Sequence, residues 1–237
     1  MKLLLKKSSL NNITSLIITQ LSRWTSQFIV PSMTAFTVTL TMTLLATTSH
    51  AYLTVGESAE INPTHIYKAG IEPQIRLSDG GGLNLTGFFD RVINDSSSFR
   101  VHAGVGDTDF YTGASYKLIP YPDFNDQPAM GGRVSAIFGR EGSENFYTFR
   151  VEPLISKKFD SPHGLFTPYG AIPLMFTNYK SKTETQVQLT GGVEYSNPQL
   201  PKLVFTGELG LNIKDSISYV SASVTMFLDD LKVRTRK

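Results

Sequence analysis

Three histidines beyond the first fifty residues, His65, His102 and His163, are the side chains best suited to acid-base chemistry, and each would need an Asp, Glu or Ser in register beside it. Pairing within a hairpin over 83–105 sets Asp90 opposite Arg100 or His102. A His–Asp pair would follow, but no serine signature accompanies it, and such a buried pair reads as structural. The chain is read as a non-enzyme with no catalytic residue. Asp107 and Asp109 share one tight turn, but two carboxylates fall short of the roughly six to eight oxygens that calcium takes. With no cysteine, neither a thiolate metal site nor a disulfide can form. Gly80-Gly81-Gly82 and Gly131-Gly132 are turn or strand glycines, with no following helix to cradle a phosphate. No cofactor and no metal ion is expected.

A different pattern carries more information: charged residues that recur on one face of alternating segments. Lys68, Arg76, Arg100, Lys117, Arg133 and Arg150 stand against Glu72, Asp90, Glu152, Glu194 and Glu208, with His102 on the same face. Six cations against five acids are nearly balanced, so the expectation is mutual pairing rather than the one-signed excess of an ion-selective pore. These twelve residues are the predicted lumen or pore lining.

The elements that position them are β-strands. Residues 185–195, TQVQLTGGVEY, alternate without a break between an apolar and a polar face. Similar segments span 65–77, 83–92, 99–105, 109–119, 129–139, 146–156, 165–178, 184–196, 203–213 and 217–228, separated by turn residues such as Asn94-Asp95-Ser96 and Lys214-Asp215. Pro168 and Pro173 weaken the seventh, because proline cannot donate to the ladder. Connections are short throughout. The fold class is all-β: an antiparallel up-and-down transmembrane β-barrel of about ten strands, within a range of 8 to 12, and narrow or plugged inside. The longer breaks, 120–128 and 157–164, follow even-numbered segments, on the side of the termini. An unrecognised strand over 52–57 would change that sidedness.

Two observations point the apolar face toward lipid. The polar face is glutamine, threonine, glycine and serine with sparse charge, which suits an enclosed lumen. Aromatic residues, among them Phe88, Phe89, Phe99, Phe110, Phe138, Phe146, Tyr147, Phe176, Tyr179 and Tyr195, fall near segment ends, as in interfacial girdles. The competing readings are a soluble periplasmic β-barrel or sandwich that binds a ligand and, third, an outer-membrane hydrolase.

Residues 1–51 differ in kind. Lys2, Lys6, Lys7 and Arg23 hold all their charge, residues 36–46 are an apolar core diluted by threonine, and Ser49-His50-Ala51 offers small residues for cleavage. This predicts a signal peptide cleaved after Ala51, then a lead segment over 52–64, the barrel over 65–228 and a basic tail over 229–237. A net charge of +2 with no earlier block of like charge gives no nucleic-acid partner.

The stretches Gly70-Ile71-Glu72-Pro73-Gln74 and Lys117-Leu118-Ile119-Pro120-Tyr121-Pro122-Asp123, with Gln127-Pro128-Ala129 and the closing strand to Asp230, resemble the small, poorly characterised outer-membrane β-barrel proteins of Gram-negative bacteria. Ser218 to Phe227 resembles the closing strand of such proteins but is followed by ten further residues. The resemblance implies location in the bacterial outer membrane and the barrel fold, and carries no catalytic residue across. The reading of the lumen and strands gives the expected role, structural or a narrow passive pore, and the expected partners: outer-membrane lipid, the barrel-assembly machinery, and small solutes or ions.

Overall fold

The computed structural model describes residues 54–63, 66–78 and 81–229. The expected signal peptide with its cleavage site, His65, and the tail beyond Asp229 lie outside the described residues.

Alternation is realised along most of the described residues from Ile66 onward as strands β1 (Ile66–Arg76), β2 (Gly82–Asn94), β3 (Ser97–Gly106), β4 (Asp109–Tyr121), β5 (Ala129–Glu141), β6 (Glu144–Ser156), β7 (Phe159–Ser161), β8 (Gly164–Ala171), β9 (Leu174–Tyr179), β10 (Lys182–Ser196), β11 (Leu203–Lys214) and β12 (Tyr219–Asp229). Each long strand pairs antiparallel with the next, and β12 pairs with β1 from Ile66↔Asp229 to Arg76↔Tyr219, which closes the sheet. Strands β8 and β9 are two halves of one stave between β6 and β10, so the barrel has ten staves and β7 is a short flap on β8. The stave breaks at Ile172-Pro173, where Pro153 on β6 lies alongside; neither proline has an N–H to give, and the ladder resumes beyond them.

The two faces have opposite chemistry. In β6, Tyr147 and Phe149 are 59% and 50% exposed, whereas Arg150 and Glu152 are 3% and 0% exposed. The same inversion runs round the wall, with Ile71, Leu83, Val105, Leu189 and Ile213 outside and Gln74, Thr86, Gln188 and Glu208 inside. In water this continuous apolar belt would far exceed the few hundred Å² that a soluble surface tolerates. In lipid it is the required arrangement, since closure satisfies every ladder group inside the sheet. The chain is a transmembrane β-barrel.

Turn chemistry sets the two rims. Lys180 and Ser181 both have positive φ, at 49° and 62°, as a two-residue hairpin turn with the right twist demands. All five connections on that rim are short. The longer ones, 122–128, 157–163 and 197–202, lie on the rim of the termini, so the sidedness does not come from a missed strand. Residues 54–57 form no strand: the lead segment enters the barrel.

Candidate functional site

Residues 54–60 run inside the lumen from mid-barrel to the terminal rim, and the wall holds them by charge. The Glu57 carboxylate takes Arg133 Nη1 on Oε1 at 2.6 Å and Lys117 Nζ on Oε2 at 2.7 Å, with Arg100 Nη2 at 3.6 Å. Lys117 also donates to the carbonyls of Ser58 and Glu60, at 3.0 and 2.9 Å. Burial alone would raise the Glu57 carboxyl, but Arg100, Lys117, Arg133 and Lys68 hold it well below the usual carboxylate range.

Two wall acids grip the backbone. Glu208 accepts the Val55 and Gly56 amides at 2.8 and 2.7 Å, and the Tyr219 and Tyr169 hydroxyls at 2.5 Å each. Glu194 accepts the Ser58 amide at 2.7 Å and its hydroxyl at 2.9 Å. Arg150 Nη1 donates to the Thr54 carbonyl at 3.0 Å. Gly56 is the pivot: its φ is +62°, and a Cβ there would sit 2.8 Å from Glu72 Oε2, so both backbone and space demand glycine.

Beyond mid-barrel the filling changes. Tyr111, Ile137, Phe146 and Met175 form an apolar cluster with Tyr179 against it, and Ile217 tucks inward from the β11–β12 turn, its carbonyl accepting Gln188 Nε2 at 2.7 Å. Five inward rings along the barrel have a glycine directly opposite on a neighbouring strand: Tyr111 over Gly104, Phe146 over Gly139, Tyr219 over Gly210, Phe88 over Gly70 and, beside the lead segment, Tyr169 over Gly192. A Cβ at Gly104 or Gly139 would lie about 2 Å from ring atoms, so the missing side chain makes the room that the ring fills. The mid-barrel cavity between Val55, Glu72, Arg100, His102 and Arg150 is about 20 Å³, the space of one water.

The twelve lumen positions all sit on inward faces. Arg100 chelates Asp90 with 2.6 and 2.8 Å bonds and stacks on Phe88, 4.2 Å from its centroid. Arg133 Nε donates to Glu152 Oε1, and Arg150 Nε lies 3.1 Å from Glu152 Oε2 as an ion pair without hydrogen-bond alignment. Arg76 pairs with Asp107 at 2.7 Å at the far rim. Glu72 lies under Gly56, its Oε1 without a partner among the described residues. Lys68 and Glu194 are half-buried near the terminal rim. The partner of Asp90 is Arg100, while His102 stands across from Phe88 and Gly113. The His163 carbonyl accepts the Tyr195 hydroxyl in the β7–β8 turn. Asp109 accepts the Gly142 amide, and no group of acids, histidines or cysteines among the described residues is placed to hold a metal ion.

The girdle expectation needs correction at three residues. Phe88, Phe146 and Tyr179 face the interior rather than an interfacial girdle, because each follows the inward phase of its strand. The contribution of Glu57, Ser58 and Glu60 to the lumen is invisible to periodicity. Its sequence signal is the one-charge cation excess of the wall, which Glu57 makes even.

No protein-family model matches the chain, and no curated protein matches it. Among solved structures it is similar to the β-domain of the Bordetella autotransporter BrkA (TM-score 0.43, 9% identity, 69% of this chain and 98% of that one). It is also similar to Neisserial surface protein A (TM-score 0.34, 13% identity, 69% and 96%) and to a de novo designed transmembrane β-barrel (TM-score 0.38, 11% identity, 70% and 98%). At such scores and identities these likenesses carry no statement about function.

Proposed function

We propose that the protein is a structural β-barrel of the bacterial outer membrane, exported by a signal peptide, covered by lipid on its outer belt and closed at rest by its own lead segment. The barrel-assembly machinery inserts it. The observation that carries the closed state is the Glu57 carboxylate clamped between Lys117 and Arg133 while Glu208 and Glu194 grip residues 55–58. A buried network of this kind is costly to leave half-made, because removing any partner leaves the others buried and unpaired. The apolar exterior argues against the soluble periplasmic reading. The ion pairs already formed by Arg100, Asp90, Arg133 and Glu152 argue for a rigidifying role over catalysis.

Planar-bilayer recording tests this directly. A closed structural barrel gives no conductance steps; discrete steps from the unmodified protein would replace this reading with the second one, a narrow passive pore. That second reading draws on the polar wall exposed once the segment withdraws. Recovery from outer-membrane extracts with heat-modifiable migration on a detergent gel is the expected location result, and recovery in the soluble periplasm would overturn it.

A further inference from the structure

We propose that the vestibule at the terminal rim binds a small amphipathic carboxylate, with its charge on Lys68 and its apolar body against Phe227, Val204 and Leu165. The vestibule is a cavity of about 250 Å³ between the lead segment and the wall of β1, β8, β10, β11 and β12. Three carboxylates line it, and both oxygens of each are engaged. Glu57 is held by Arg133 and Lys117, Glu60 by Ser156 and Lys158, and Glu194 by the Ser58 amide and hydroxyl. Of the cations, Arg100 is chelated by Asp90 and Lys158 lies 2.6 Å from Glu60.

Lys68 is the exception. It is half-buried, its ammonium lies 5.9 Å from the Phe227 ring centroid, and it forms no ion pair or hydrogen bond among the described residues, although Asp90 lies across the ladder from it and its charge reaches Glu57. A partly desolvated ammonium surrounded by acids that are already paired is a site for an anion. Second donors stand nearby: Thr167 and Thr206 both lie across the ladder from Glu194, and Thr225 lies across from Val204. The hydroxyls of these three threonines carry no hydrogen bond among the described residues. One ammonium balances one negative charge. A dianion would be under-compensated beside Glu194, and the ring of Phe227 with Val204 and Leu165 favours an apolar body over a bare ion. The inference stands apart from whether the barrel conducts.

The test is a saturation-transfer NMR titration of the full chain in zwitterionic nanodiscs, with sodium hexanoate as probe and hexan-1-ol and inorganic phosphate for comparison. Hexanoate is expected to bind and the other two to bind more weakly. Lys68→Met should weaken hexanoate at least about tenfold, as loss of a charge-assisted contact does. Lys68→Arg should retain it, and Lys180→Met, at the opposite rim, should change nothing. If Lys68→Met does not fold by heat-modifiable migration, Thr206→Val serves as the second variant, with a smaller loss expected. Equal binding to wild type and Lys68→Met, no binding to wild type, or phosphate or hexanol binding as tightly as hexanoate would each overturn the proposal.

Discussion

From the terminal rim to mid-barrel the lumen is filled by a separate stretch of chain held through ion pairs. From mid-barrel to the opposite rim it is filled by the wall's own side chains, rings seated over glycines. The first filling combines directional contacts between groups that are far apart in sequence, Glu57 with Lys117 and Arg133 or Val55 with Glu208, with the packing of Val55 and Ala59 against Ile119, Ala129, Leu154 and Tyr169. The second is built from neighbours across single hairpins, such as Gly139 and Phe146. A narrow barrel can therefore be closed by two mechanisms, and only the first can be undone without dismantling the wall.

The largest effects should fall in both halves and be similar in size but different in kind. Glu57→Gln leaves Lys117 and Arg133 without their shared acid and should cost about 3–5 kcal/mol in urea unfolding at neutral pH. Phe146→Ala empties a packed site and should cost about 3–5 kcal/mol as well. Acid separates the two. The folded-state pKa of Glu57 is depressed, so its contribution is complete above the unfolded carboxylate value, about 4.3, and fades as pH falls through the folded value. The Glu57→Gln penalty should shrink in acid while the Phe146→Ala penalty persists; equal pH profiles would erase the distinction between the halves.

A smaller effect is expected at the hinge between them. Gly56→Ala must adopt a φ of +62° and displace Glu72, for about 1–3 kcal/mol and a loosened lead segment, read as faster amide exchange at Val55 and Ser58. The smallest lies on the terminal rim. There Asp123 meets Lys157 at 2.6 Å, close to solvent, and Asp123→Asn should cost about 1 kcal/mol or less in the same unfolding assay. A larger loss would mean that the rim loops help to hold the lead segment.

The wall was legible because it is periodic. Tyr147, Phe149 and Val151 against Thr148, Arg150 and Glu152 is an alternation that only a two-sided strand explains, and the twelve inward charged and histidine positions follow from it. The break at Pro173 was readable for the same local reason, a missing donor. The lead segment was not, because it has no regular structure and its place is set by complementarity with residues far along the chain, from Arg100 to Glu208. The inward turn of Phe88 and Phe146 was missed because aromatic residues near strand ends suit a girdle and a packed interior equally. Gly70 and Gly139, their partners across the ladder, decide between the two only once the register is known.

A double-mutant cycle between Glu57→Gln and Lys117→Met tests whether the lead segment lies in the lumen, since the two residues can touch only there. Unfolding free energies of wild type, both single variants and the double variant at neutral pH should give a coupling of about 2 kcal/mol, within the range for contacting charges. Additivity to within about 0.5 kcal/mol, the behaviour of residues that do not meet, would contradict a barrel closed by its own lead segment.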